Sequence, residues 1–206
     1  MKSNTLRLKR LFALAEKLKN RGEIKKTLEV YYEALLAGRG DLVVEHAACW
    51  GMGDCLLAVG EYKKAETLLR KAIKLDATNP ECHYFLGEAL CKQRRFIEAI
   101  KPLRKAHSLL PSHPKILELL GWTVYMAGGV ERGRDFLMQA LRRDPKDVQT
   151  LCDLAVLESQ HGNSKRAKQY ALRASYLEPD DHLVQEVLKF VSAIARVRTR
   201  LSRNIH

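Results

Sequence analysis

Seven histidines, five cysteines and twenty-four carboxylates are the side chains of this 206-residue sequence that could hold a metal, act as nucleophile or move a proton. Their spacing suits none of these tasks. Cys49, Cys55, Cys82, Cys91 and Cys152 are odd in number, form no Cys-x-x-Cys pair and sit in apolar stretches. That is the pattern of small buried hydrophobes in a reducing compartment. Cys82-His83 could open a metal site or a thiolate pair, but adjacent helical residues point to different sides and no second ligand pair stands at helical spacing. A structural pair is expected. The sequence has no Gly-rich phosphate loop ending in Lys and Ser or Thr, no Gly-x-Ser-x-Gly elbow and no His-Glu-x-x-His; Gly51-x-Gly53 lacks a third glycine and a preceding strand. Arg39-Gly40-Asp41 reads as turn chemistry. Neither an enzyme nor a cofactor or metal site is expected.

Positive charge is the other candidate for chemistry. Thirty-six Lys and Arg against twenty-four Asp and Glu leave +12, which points first to RNA or an anionic membrane surface. Lys2, Arg7, Lys9 and Arg10 at one end and Lys189, Arg196, Arg198, Arg200 and Arg203 at the other carry nine of those charges, with no acid among residues 1–15 or 187–206. The body is close to neutral. Arg94-Arg95 is one of several basic pairs, and Arg196, Arg198, Arg200 and Arg203 could grip phosphates, but no run interleaves aromatic rings with the basic residues as stacking platforms require. A solvated face and a soluble tail are the main reading, and binding of RNA or membrane the alternative. With 46% apolar and 29% charged residues the chain is globular, and no apolar run approaches the eighteen or so residues of a membrane span. Leu11 to Ala15 is too short for a signal-peptide core, so the expected compartment is the cytosol.

The elements that carry these residues repeat. Gly53, Gly87 and Gly121 stand 34 residues apart with Ala155 next; Ala65, Ala99, Gly133 and Ala167 keep the same step, as do Ala72, Ala106, Ala140 and Ala174. Between these landmarks apolar residues recur at three- and four-residue spacing, which predicts two amphipathic helices per repeat. Gly60, Gly128 and Gly162 mark the turns within repeats; Asn79-Pro80, Pro111 to Pro114, Asp144-Pro145 and Glu178-Pro179 mark those between them. Small residues at fixed places let two helix backbones approach closely. Pro102 falls inside a predicted helix, where it should loosen the bonding near Glu98; apolar spacing continues through Leu103, Ala106 and Leu109, so the helix is kept.

These residues resemble the tetratricopeptide repeat (TPR) family. The repeats that match best are Leu86-Gly87, Leu90, Phe96, Ala99, Ala106 and Pro111, and Met52-Gly53, Tyr62, Ala65, Ala72 and Asp76. The family's early Trp is replaced by Cys49, His83, Leu117 and Leu151, Gly133 stands where Ala is usual, and the first repeat has Ala15 and Thr27 at small sites. The resemblance implies an all-α array of helix-turn-helix repeats stacked as a right-handed superhelix. It implies one repeat domain over 1–206, with repeats at about 8–45, 46–79, 80–113, 114–147 and 148–181, a capping helix at 182–198 and a basic tail at 199–206. It also implies a non-catalytic scaffold or adaptor that holds a peptide or helix in a concave groove lined by first helices.

Carried onto this sequence, the groove comprises Phe12, with Glu16 and Lys19, from the first repeat and Trp50, Asp54 and Leu57 from the second. Tyr84, Glu88 and Cys91 follow from the third, and Trp122, Tyr125 and Met126 from the fourth. The alternative place for Trp50 and Trp122 is the interface between repeats. Over the second to fifth repeats the first helices hold two basic and six acidic residues, the second helices and following turns nineteen and eleven. The expected groove is aromatic and mildly acidic, suited to an apolar partner segment with some Lys or Arg. Some family members clamp an acidic C-terminal peptide of heat-shock chaperones with Lys, Arg and Asn; Trp50, Asp54, Tyr84, Glu88 and Trp122 stand at such places here, so that clamp is not expected. A secretion chaperone, an assembly factor and self-association stay open.

Overall fold

The computed structural model describes residues 2–203, with side chains from 4 to 198. Eleven helices account for nearly all of them, and among the described residues there is no strand and no helix long and apolar enough to cross a membrane. The chain forms two compact units that meet in sequence after Leu110. The first holds α1 (Lys2–Asn20), α2 (Ile24–Ala37), α3 (Leu42–Ala58), α4 (Tyr62–Leu75), α5 (Pro80–Lys92) and α6 (Phe96–Leu109). The second holds α7 (Pro114–Met126), α8 (Val130–Arg143), α9 (Val148–Gln160), α10 (Ser164–Leu177) and α11 (His182–Arg203). Consecutive helices pair as hairpins, α1 with α2 through α9 with α10; α11 packs on α9 and α10 in the place a further first helix would take. This is the all-α helix-turn-helix repeat architecture that the 34-residue period predicts.

The ends of the helices follow from residue chemistry. The first helices α3, α5 and α9 start at side-chain caps: Asp41 Oδ1 accepts from the Val43 amide at 2.9 Å, Asn79 Oδ1 from Glu81 at 2.9 Å ahead of Pro80, and Asp147 Oδ2 from Thr150 at 3.0 Å. The second helices need none, because each follows its partner through a tight left-handed turn. Gly60, Gly128 and Gly162 occupy that turn at φ 82°, 95° and 91°. The third hairpin has Arg94 at the same place in the period, at φ 60°. The amide that follows it, Arg95, bonds back to the Leu90 carbonyl at 2.9 Å, as Glu61 bonds to Leu56 at 2.9 Å, so the same turn is closed without a glycine.

Within hairpins, size complementarity sets the helix distance. A Cβ on Gly53 would stand 2.7 Å from Leu69 Cγ and one on Gly121 2.9 Å from Leu137 Cγ; one on Gly87 would collide with Leu103. Leu69, Leu103 and Leu137 are themselves 34 apart and fully buried. In the fifth hairpin the first helix carries Ala155 and the facing place in the second carries Ala171, so a larger residue on one side is offset by a smaller one on the other. The departures from the family pattern are absorbed in the core. Cys49, His83, Leu117 and Leu151 are all buried, and Thr27 is sealed with its hydroxyl donating to the Glu23 carbonyl at 3.0 Å. α6 runs unbroken past Pro102, held by buried Leu103 and Ala106 on its inner side.

Two consequences can be measured in denaturant titrations. Gly87→Ala lowers the stability of the chain by about 1–3 kcal/mol through overpacking against Leu103. Adding Leu103→Ala costs less in that background than in the wild type, giving a favourable coupling; strict additivity would show that the two sites do not share one gap. Arg94→Gly raises stability by about 1 kcal/mol, because only the non-glycine residue is strained at positive φ.

Candidate partner-binding surface

In the first unit α1, α3 and α5 present one continuous set of the expected groove residues. Lys19 Nζ sits between Glu16 Oε2 at 2.9 Å and Asp54 Oδ2 at 3.2 Å and lies 6.0 Å from the centre of the Trp50 ring. Tyr31, from α2, donates to Glu16 Oε1 at 3.1 Å, and Phe12 packs on Tyr31 with ring centres 5.9 Å apart. On its other side Trp50 meets Phe85 at 6.5 Å, and Phe85 meets Tyr84 edge-on at 5.4 Å. All three rings are half-buried. Trp50 also packs against Cys49, Ala72 and Cys82, and its indole N–H is buried without an acceptor. It thus serves the core with one face and the surface with the other, which joins the two places sequence reasoning held open.

Electrostatics on this surface are uneven. Lys19 is held above its ordinary pKa: burial works against the ammonium, but bonds to Glu16 and Asp54 outweigh it. Glu88, half-buried one helix further on, is pushed up, chiefly by burial and secondarily by Asp54, against the relief from Lys92. Leu57 and Cys91 complete the strip as half-buried apolar neighbours. Sequence reasoning missed Phe85, although its number carried the signal: it stands one period after Gly51 on the side of the first helix that meets the preceding one.

In the second unit the same register puts different residues to different use. Trp122 is half-buried, 5.5 Å from the Tyr125 ring, and Met126 is exposed at the end of α7. Tyr125 is buried; its hydroxyl bonds the Gln160 side chain and its ring meets His161 edge-on at 5.9 Å. The Trp50–Phe85 contact, moved on by two periods, becomes Glu118 against Asp153. Both carboxyls are buried. Asp153 Oδ1 accepts from Gln149 at 2.9 Å, and the Asp153 carboxyl lies beside that of Glu118. Burial first and the Glu118 charge second hold Asp153 well above the ordinary carboxylate range, against the opposing bond from Gln149. Glu158 is buried too, paired with Arg134 Nε at 2.9 Å and bonded by Asn163. Three of the six first-helix acids are therefore interior groups, and the acidic face expected from the charge count is confined in the first unit to Asp54, Glu81 and Glu88.

The basic residues divide as well. Arg94 and Arg196 are exposed. Arg95 is committed to Glu66 at 2.6 Å and Glu98 at 2.7 Å, and Arg198 Nη2 donates to the Gln160 carbonyl at 2.9 Å, closing the end of α9. Arg200 and Arg203 lie in the last turn of α11, with side chains outside the described residues, as does the rest of the tail from 204. Cys82 and His83 point apart: Cys82 Sγ lies 3.5 Å from His46, its thiol pushed up to about 12 by burial, whereas His83 Nε2 donates to the Ala77 carbonyl at 3.0 Å. Among the described residues no three His, Cys, Asp or Glu side chains converge as metal ligands would.

Comparison with known proteins fits this architecture. Residues 26–106 match the family model of anaphase-promoting complex (cyclosome) subunit 3. The human protein O-mannosyl-transferase TMTC1 is 24% identical over 82% of this chain and 19% of its own length. The bovine BBSome complex member BBS4 is 23% identical over 69% of this chain and 26% of its own. The chain thus spans about a fifth to a quarter of the length of these relatives. Among solved structures, YrrB, described as a TPR protein with an unusual peptide-binding site, superposes with a TM-score of 0.68 at 21% identity, covering 87% of this chain and 90% of YrrB.

The raised Asp153 carboxyl gives the second unit a pH dependence of defined sign. A raised carboxyl pKa contributes stability that is complete below the ordinary carboxylate range and is lost as pH rises through the raised value. Asp153→Asn, which still accepts from Gln149 and can donate to Glu118, flattens that loss. As pH rises from 5 to 8 the wild type loses more stability than the variant in denaturant titration; parallel slopes would show that the Asp153 carboxyl is not raised.

Proposed function

We propose that this chain, a protein of tetratricopeptide-repeat fold, is a non-catalytic interaction scaffold whose first unit holds a partner segment on the strip formed by α1, α3 and α5. The segment is extended or helical, apolar, and carries Lys or Arg. The carrying observation is Glu88, a half-buried carboxyl beside Asp54, set against the rings of Trp50, Tyr84 and Phe85. A cationic side chain laid there relieves the burial cost of Glu88 while its aliphatic stem covers the rings. Phe12, Leu57 and Cys91 extend the strip, and Trp122 and Met126 offer a separate apolar patch on the second unit. Tyr125, buried and bonded to Gln160, acts there as support.

Several observations support a role in assembly over catalysis. The matched family model and BBS4 are both named as parts of multi-protein complexes, and YrrB as a peptide binder. TMTC1 is named a transferase, but this chain spans only 19% of it. The basic-surface alternative is less favoured because Arg95 and Arg198 are already spent on intramolecular bonds. Four buried thiols and one half-buried one suit a cytosolic setting.

Synthetic peptides that alternate Leu or Phe with Lys test the proposal by fluorescence polarisation. They bind in the micromolar range, about −8 kcal/mol at 1 μM. The same peptides with Glu for Lys bind more weakly, and Glu88→Lys reduces affinity for the basic series at least about tenfold with an unchanged helical circular-dichroism signal. Preference for the acidic series, or binding that survives Glu88→Lys while generic RNA competes in a steeply salt-dependent way, refutes it.

A further inference from the structure

Successive second helices leave a gap between them, which side chains bridge in two places and leave open in a third. Between α8 and α10, Arg134 reaches Glu158 at 2.9 Å, and the Tyr170 hydroxyl meets Met138 Sδ at 3.3 Å. Between α4 and α6, Glu66 accepts from Gln93 at 3.0 Å, from Arg95 at 2.6 Å and from Arg70 at 2.9 Å. Thr27, Tyr31 and Ala34 stand 38 residues before Ala65, Leu69 and Ala72, which is the 34-residue step plus a four-residue insertion at Gly38 to Asp41. On that register Leu28 and Tyr32 take the places of Glu66 and Arg70, and again of Arg134 and Met138. Across the gap, Leu56 and Leu68 take the places of Glu158 and Tyr170. Neither the ion pair nor the ring contact can form between α2 and α4.

A cleft of about 430 Å³ stands there instead. Leu28 lines it from α2, Met52 and Leu56 from α3, and Leu68 from α4, all buried or half-buried. That volume is in the range of small-molecule sites, and the walls are aliphatic. The polar groups along it are hydrogen-bond donors. Lys64 is the one charged side chain in the lining; its ion pair with Glu61, at 3.3 Å, is exposed and leaves N–H groups for a ligand. Tyr32 brings a phenolic hydroxyl as a second donor, and no acid lines the cleft. An apolar cleft whose edge donates and is positively charged fits a ligand with an apolar body and one carboxylate. Size favours a chain over a helix: a helix roughly 10 Å across fills about 420 Å³ with each 5.4 Å turn, so one turn would exhaust the space.

We infer that the cleft between α2 and α4 binds a small amphipathic carboxylate, a fatty acid of medium chain length, with its alkyl chain on Leu28, Met52, Leu56 and Leu68 and its carboxylate at Lys64. The site shares no residue with the strip of Trp50, Tyr84, Phe85 and Glu88, and either conclusion can fail without the other.

Isothermal titration calorimetry of the full chain with hexanoate, octanoate and decanoate tests this. Decanoate binds one to one at about 0.1 mM, and each added CH₂ along the series tightens binding about threefold to fourfold. Octanoate binds about fivefold more tightly than 1-octanol, and Lys64→Met, at an exposed place, removes that preference while leaving the alcohol's affinity unchanged. Tyr32→Met with Leu68→Tyr copies the Met138–Tyr170 contact into the gap and abolishes binding with an unchanged circular-dichroism spectrum. The absence of saturable decanoate binding, an affinity independent of chain length, equal affinity for octanoate and 1-octanol, or binding that survives the filled gap overturns the inference. An acidic amphipathic helical peptide that binds where the carboxylates do not, and is blocked by the filled gap, also overturns it and assigns the cleft to a partner segment.

Discussion

The distance between the two helices of each hairpin governs what the rest of the molecule can do. In three hairpins it is set by a glycine on the first helix and a leucine on the second: Gly53 with Leu69, Gly87 with Leu103, Gly121 with Leu137. The glycine removes the one group that would hold the backbones apart, and the leucine fills the space it leaves. Ala155 with Ala171 reaches the same end with two medium residues. With the hairpin fixed, the opposite side of each first helix is pinned in direction. Residues 35 apart then meet on neighbouring first helices: Lys19 with Asp54, Trp50 with Phe85, Tyr125 with Gln160.

That recurring meeting place is where the chain varies its chemistry on a constant frame. In the first unit it holds an ion pair and then a pair of rings, leaving aromatic edges and the Glu88 carboxyl at the surface. In the second it holds the Glu118–Asp153 pair, two buried carboxyls side by side, of which burial and the Glu118 charge push Asp153 well above the ordinary carboxylate range. A backbone geometry copied every 34 residues thus yields half-buried rings beside a carboxyl in one unit and a buried acid pair in the other.

The fold was almost wholly legible in the sequence because small-residue series, turn residues and helical periodicity all report local or nearest-neighbour packing, which repeats with the chain. The left-handed turn at Arg94 was not, since the glycine that stands there in the other four hairpins, Gly22, Gly60, Gly128 and Gly162, is missing. The candidate surface was legible by helix face but not by depth. Trp50 and Trp122 are both half-buried on first helices, and how far each sinks depends on the ring beside it: Phe85 from the next first helix in one case, Tyr125 from the same helix in the other. The acidic count failed for the same reason, because a count of first-helix acids cannot tell an exposed Glu81 from a buried Glu158 that Arg134 reaches from α8.

The sequence by itself determined the paired-helix repeat and the small residues that let the helices pack, because both are written at a spacing one or two helices long. Only the tertiary structure decided which charges are partnered, which acids are interior and which apolar stripes stay open. Those properties depend on the distance between side chains far apart in the chain, and desolvation and pairing energies change steeply over the few ångströms that a helix-face reading leaves undetermined.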